Sequence, residues 1–158
     1  MAAIKDPENT LIIETTKGKV VIEMLPKLAP GHVAHIKKLA REGFYDGIVF
    51  HRVIEGFMAQ TGCPKGQGTG QSQYPNLKAE FNAEPHVRGV CSMARSSMPD
   101  SANSQFFICF SDARFLDKQY TAWGKVIEGM DNVDKIKRGE PVQNPDKMVS
   151  VKVAADMK

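Results

Sequence analysis

Cysteine is scarce in this sequence. Cys63, Cys91 and Cys109 are the only three among 158 residues. Their odd number and lack of CxxC spacing exclude a disulfide scaffold and suit free thiols in a reducing compartment. Long apolar runs are missing too. No stretch approaches the ~18 apolar residues of a membrane span, and Met1 is followed by Ala-Ala-Ile-Lys-Asp-Pro instead of an apolar leader. These absences predict a cytoplasmic protein with no membrane partner. Charge of one sign is also lacking: a net charge of +3 is too small to call for nucleic acid. What remains is the composition of an ordinary globule, 42% apolar and 25% charged. Its length suits one domain that buries roughly two-thirds of its unfolded surface.

Residues 1–9 are polar, carry Pro7 and predict a short loose arm, leaving residues 10–158 as the domain. Residues 11–15 and 19–25 read as two strands joined by a tight hairpin at Lys17-Gly18. Ala29-Pro30 opens a helix, with proline in the first turn where its missing N–H costs nothing. Val33, Ile36, Leu39 and Ala40 give it an apolar face, and Gly43 ends it. Lys37, Lys38 and Arg41 form the other face, either a solvated surface or an anionic docking patch. Gly62, Gly66, Gly68 and Gly70 mark a loop; without GxGxxG spacing or a following Lys-Ser/Thr it does not read as a phosphate cradle. Residues 77–81, 90–94, 105–110 and 121–127 resume extended segments. Residues 131–138 read as a short helix, acidic at its start and basic at its end. Val149, Val151 and Val153 alternate in a last strand. Pattern alone therefore supports a mostly β fold, barrel or sandwich.

The stretch Phe50-His51-Arg52-Val53-Ile54-Glu55-Gly56-Phe57-Met58-Ala59-Gln60 reads as two strands folded about Glu55-Gly56. Alternation sets Phe50, Arg52 and Ile54 on one side and Val49, His51 and Val53 on the other. A cation amid β-branched and aromatic residues belongs at a surface or in a cleft, because burying it unpaired is costly. In residues 105–110, Phe106, Ile108 and Phe110 share a purely apolar face, while Gln105, Phe107 and Cys109 share the opposite one. Phe107 thus stands beside an amide, either in a groove or packed under a loop. His32 and His35, at i and i+3 without a further ligand, read as surface histidines and no metal site. His51 reads as a hydrogen-bonded structural histidine. Cys91 and Cys109 fall in strands and read as inert, whereas Cys63 reads as an exposed, oxidisable thiol. Ser96, Ser97, Ser101 and Ser104 lack a GxSxG elbow or a partner base.

The segment 50–60, with Ser104-Gln105-Phe106-Phe107-Ile108 downstream, resembles the signature motifs of the cyclophilins, the peptidyl-prolyl cis/trans isomerases. The likeness runs from about Thr10 to the C-terminus. It implies an eight-stranded closed antiparallel β-barrel capped by two α-helices, active without metal or cofactor. Arg52, Phe57 and Gln60 then fall at catalytic positions. Met58, Ala94, Gln105, Phe107, Phe115, Leu116 and Tyr120 fall at substrate-binding positions on the outer barrel face. Phe57, Met58, Phe107 and Leu116 would floor the pocket for a proline ring. Many members carry Trp where Phe115 falls and His where Tyr120 falls, which implies weak cyclosporin binding. The loop 94–102 is one residue longer than the vertebrate type and resembles bacterial members.

The chemistry implied is modest. An X-Pro bond turns over a barrier of about 18–20 kcal/mol set by amide resonance. At ninety degrees the resonance is lost and a lone pair appears on the proline nitrogen. A donor such as Arg52 that binds only this twisted state accelerates rotation both ways. The expected partners are proline-containing peptides and unfolded segments, met by a monomer that assists folding. Two alternatives compete: a proline-peptide binding module with little turnover, and a β-barrel holding nucleotide or nucleic acid on its basic helix and glycine loop.

Overall fold

The computed structural model describes residues 6–64, 66, 70–96, 98, 100–139 and 142–156. Eight strands follow one another: β1 (Thr10–Thr15), β2 (Gly18–Met24), β3 (Arg52–Ile54), β4 (Met58–Thr61), β5 (Val90–Met93), β6 (Phe106–Cys109), β7 (Ala122–Glu128) and β8 (Met148–Val153). Helix α1 (Pro30–Arg41) lies between β2 and β3, and α2 (Met130–Asp134) between β7 and β8. One sheet takes all eight strands in the order β3-β4-β6-β5-β7-β2-β1-β8, every pair antiparallel. Its inner face, α1 and α2 enclose the main core, in which Trp123, Tyr45, Phe50 and Phe106 are the largest fully buried side chains.

The sheet is an open half-barrel, not the closed barrel expected. Between its end strands β3 and β8 there is one isolated bridge, Val49 to Lys147, with Phe50 N–H donating to the Asp146 carbonyl at 2.8 Å. The reason lies in residues 48–51, which precede the regular strand. Phe50 turns into the core together with Val53, so it does not share a side with Arg52 as alternation implies. β3 is regular for only three residues, too short an edge to close a ladder.

Other departures have equally local causes. In β8 the partner register jumps from Glu14–Ser150 to Thr15–Met148. Val149 is thereby bulged out and 51% exposed, while Met148 takes the core position. α2 spans only five residues. Of residues 77–81, Leu77 alone pairs, bridging Ala102. The basic face of α1 is a solvated one, exposed at Lys38 and Arg41 and tied by ion pairs: Lys37 and Arg41 grip Glu8 at 3.1 and 2.9 Å, and Arg41 also holds Asp156 at 2.9 Å. The described part of the arm expected to be loose is therefore tied to the helix, with residues 7–9 in a 3-10 turn. Ala29 cannot cap α1; the Glu80 carboxylate does so from a distant loop, accepting from the Gly31 and His32 N–H groups at 3.1 and 2.8 Å.

Glu80 belongs to the irregular segment that covers this helix face. His32 and His35 are consequently buried, not surface residues, and His32 Nε2 bonds to the Lys78 carbonyl at 2.8 Å. His51 is buried as well, with neither ring nitrogen partnered among the described residues, unlike the hydrogen-bonded histidine expected. Burial holds the pKa of all three below the ordinary value, helped by the Arg52 charge at His51. For a base, a depressed folded pKa means that the unfolded chain binds more protons, so acid favours unfolding. This stability is complete above the unfolded pKa of about 6.5 and is lost as pH falls through the folded values. Melting temperature should therefore hold at neutral pH and drop once pH passes below about 6.5. His51→Leu should flatten that slope in thermal melts; an unchanged slope would place the titration elsewhere.

Among the described residues no helix is long and apolar enough to cross a membrane. The three cysteines are all buried. Cys63, expected to be exposed, is 1% accessible and its Sγ accepts from the Gly70 N–H at 3.1 Å. Gly68 and Ser97 lie outside the described residues.

Candidate functional site

A second apolar cluster, separate from the main core, sits on the outer face of the sheet. Met58, Phe107, Cys109, Ala113 and Leu116 form it, with Ile54, Phe57, Ala94 and Tyr120 packed against them half-buried. Strict alternation in β6 produces the division: Phe106 and Ile108 enter the main core, Phe107 and Cys109 the outer cluster. Gly56, at the β3–β4 turn, adopts φ +72°, a conformation that lets the chain reverse so that Phe57 and Met58 return beside Arg52. Gly62, just past β4, is also left-handed at φ +93°, and a side chain there would collide with the Ser104 carbonyl. Its absence lets β4 lie close against the start of β6.

Above this floor the polar groups are arranged by register. Arg52 pairs across with Gln60, and Gln60 with Phe107. An Arg52 NH1 donates to Gln60 Oε1 at 3.3 Å, Gln60 Nε2 to Gln105 Oε1 at 3.0 Å, and Gln105 Nε2 to the Gly70 carbonyl at 3.0 Å. Each amide is therefore oriented by its neighbour. The resulting groove, about 160 Å³, is lined by Arg52, Phe57, Met58, Gln60, Ala94, Phe107, Leu116 and Tyr120. Arg95, which sequence reasoning passed over, completes it. A larger cavity of about 390 Å³ adjoins it, sharing Gln60, Ala94 and Arg95. It is otherwise lined largely by polar side chains and backbone, so the smaller groove is the better match for an apolar ring. Gln105 lines this second cavity and not the groove. Phe115 lines neither; it is 67% exposed on the rim, its ring 5.6 Å from that of Phe57.

The Phe107 ring is held from two sides, stacked on His86 at 6.4 Å and edge-on to Tyr120 at 6.0 Å. His86 is fixed in turn by Asp117 on Nδ1 and Ser92 on Nε2, both at 2.9 Å. The Asp117 carboxyl also accepts from the His86 backbone N–H, and that bond chiefly holds its pKa below the usual carboxylate range. The order Ser-His-Asp suggests nucleophilic catalysis, but Ser92 is wholly buried within β5. No substrate carbonyl can reach it, and the three residues serve as a brace for the floor. Burial pushes the Cys109 thiol up to about 12, so it is not a thiolate nucleophile either. No group of His, Cys, Asp or Glu among the described residues could hold a metal ion. What the arrangement offers is an apolar slot bordered by the Arg52 and Arg95 guanidinium groups and the Gln60 amide.

Residues 10–155 match the family model described as cyclophilin type peptidyl-prolyl cis-trans isomerase/CLD. The chain belongs to that family. Its activity is accordingly peptidyl-prolyl cis-trans isomerisation. A Brucella suis protein named a probable peptidyl-prolyl cis-trans isomerase is 55% identical, the match taking in 99% of this chain and 88% of that one. Peptidyl-prolyl cis-trans isomerase B of Bacillus subtilis is 44% identical, over 78% of this chain and 86% of its own. Among solved structures, cyclophilin AquaCyp293 from Hirschia baltica superposes with a TM-score of 0.90 at 34% identity, covering 97% of this chain and 76% of that one. A Cryptosporidium parvum cyclophilin, solved in the presence of the dipeptide Ala-Pro, gives 0.85 at 25% identity, covering 91% of this chain and 98% of that one. The half-barrel is thus a cyclophilin fold, and the outer groove is its candidate active site.

Proposed function

We propose that the outer groove receives an X-Pro segment with the proline ring on Phe57, Met58, Phe107 and Leu116. Arg52 donates to the proline nitrogen once the bond has twisted, and Gln60 holds a neighbouring carbonyl so that rotation has a fixed axis. Planar amide nitrogen is a poor acceptor, so this bond forms only near the transition state. Such an interaction accelerates both directions equally. The observation that carries the reading is the second apolar cluster with Arg52 and Gln60 as hydrogen-bonded cross-strand partners above it. The Ala-Pro dipeptide used with the Cryptosporidium relative is of the same substrate class.

The substrates on this reading are flexible or unfolded chains, since an open groove can hold only an extended segment. The protein acts as a cytoplasmic monomer that assists folding, with residues 10–158 as one catalytic domain behind the arm 1–9. Exchange spectroscopy of a proline peptide should show cis-trans exchange accelerated at catalytic protein concentration, without added metal or nucleotide. Line broadening from binding with no gain in exchange would favour a proline-binding module instead.

Cyclosporin binds weakly on this reading. Phe115 offers no N–H donor, and a ligand carbonyl left buried without its partner costs roughly 1–3 kcal/mol, about five- to a hundred-fold in affinity. Phe115→Trp should tighten cyclosporin in a titration while changing peptide turnover little, because Phe115 stands on the rim and outside the groove lining. An unmoved titration would remove Phe115 from the inhibitor's contact surface.

A further inference from the structure

Arg95 follows β5 and stands where the two cavities meet, lining both. It is unusually fixed for a surface arginine. Its Nε and one NH2 donate to the Gln119 carbonyl at 3.0 and 2.7 Å, and its NH1 to the Ser96 carbonyl at 2.8 Å. The guanidinium also lies 4.7 Å over the Tyr120 ring and 5.6 Å over that of Phe81. All of these partners are uncharged. Arg95 forms no ion pair among the described residues, unlike Arg41, Arg88, Arg114 and Arg138. A guanidinium carries five N–H donors, and these bonds engage three of them where Arg95 lines both cavities.

The surroundings reinforce this charge. Arg52 lines the same groove, and among the described residues no Asp or Glu lines either cavity. We propose that Arg95 is a specificity-determining residue, and that this isomerase prefers substrates carrying a carboxylate side chain close to the proline. The proposal rests on the groove being the prolyl site. With the ring on the apolar floor, an extended chain advances about 3.3 Å per residue. The side chain that meets Arg95 is therefore one or two residues from the proline. Because Arg95 is already immobilised, capturing a carboxylate there orders no further protein side chain, which removes the entropy cost that usually cancels surface ion pairs. The fork geometry favours a bidentate carboxylate contact.

The test uses the whole protein and blocked peptides of sequence Ala-Ala-Ala-Pro-Ala-Ala, with Glu, Gln or Lys substituted in turn at each position flanking proline. The kcat/KM for Glu over Lys should rise about three- to tenfold at one position within two residues of the proline, with Gln between. The ratio should shrink towards unity in high salt. Arg95→Gln should collapse the ratio, and Arg95→Glu should invert it. Lys125→Gln, which removes a cation outside both cavities, should keep it. Equal turnover of Glu, Gln and Lys peptides at every position overturns the proposal while leaving the prolyl site intact. A Glu preference that survives Arg95→Gln assigns the selection to Arg52 and overturns it equally. Failure to accelerate any of the peptides would overturn the reading of the groove itself.

Discussion

Replacing Arg52 with alanine should lower catalysed X-Pro exchange by about 10²–10³, the usual cost of removing one preorganised transition-state donor, while leaving the melting temperature close to that of the parent. The two halves of this expectation have separate grounds. The kinetic half follows from chemistry: Arg52 is the charged donor beside the floor of the groove that also reaches Gln60. The stability half follows from position. Arg52 is half-buried on the outer face, and its loss leaves the Gln60 amide facing an open groove and not a dry core. Arg52→Lys should also be poor, because a point charge on a flexible stem does not reproduce a planar fork. Exchange spectroscopy with a parallel denaturant melt reads both quantities. Near-normal turnover in Arg52→Ala, or an unfolded protein, would refute the assigned role.

Phe106→Ala and Phe107→Ala should differ in kind although the residues are adjacent. Phe106 is fully buried, in edge-to-face contact with Tyr45 at 5.5 Å and Trp123 at 5.3 Å. Truncating it should cost about 3–5 kcal/mol, because the rings around it cannot collapse into the space. Tyr45 adds stiffness, since its hydroxyl donates to the Ser104 carbonyl at 2.9 Å. Phe107 belongs to the smaller outer cluster that opens into the groove. Its loss removes the floor of the slot and the rings' contact with His86 and Tyr120, so turnover should fall sharply with a smaller melting shift. Equal stability losses in urea titrations of the two variants would show that the faces of β6 are misassigned.

That pair also marks what was readable beforehand. Residues 105–110 alternate strictly, so period two separated core from groove without any knowledge of the sheet. Where the backbone is regular, pattern sufficed: the β1–β2 hairpin, α1 with Gly43 past its end, and the turn at Gly56 lie where the residues imply. Alternation misplaces Phe50 because this residue precedes the regular strand, where period two has no force. His32 and His35 look like solvent-facing residues on α1, and only the irregular segment bearing Lys78 and Glu80 buries them. No local pattern predicts where such a segment lies. His86 carries no local signal for a related reason, since its partner Asp117 is remote in sequence and neither belongs to a periodic element. Arg95 sits in a loop, where no period assigns a face. The seam between β3 and β8 depended on backbone detail at residues 48–51, beyond the reach of composition.

The pairing of β1 with β8 has a consequence for how the chain is made. β1 (Thr10–Thr15) is made long before its outer neighbour, Met148–Val153, which lies far downstream in the chain. At roughly 5–20 residues per second, β1 waits on the ribosome for roughly 7–30 seconds with one edge unmatched. The chain also carries nine prolines, each of whose preceding bonds relaxes in tens to hundreds of seconds unaided. Vectorial folding from the N-terminus is therefore closed to this sheet: the nascent chain holds its first hairpin in reserve until β8 has been made.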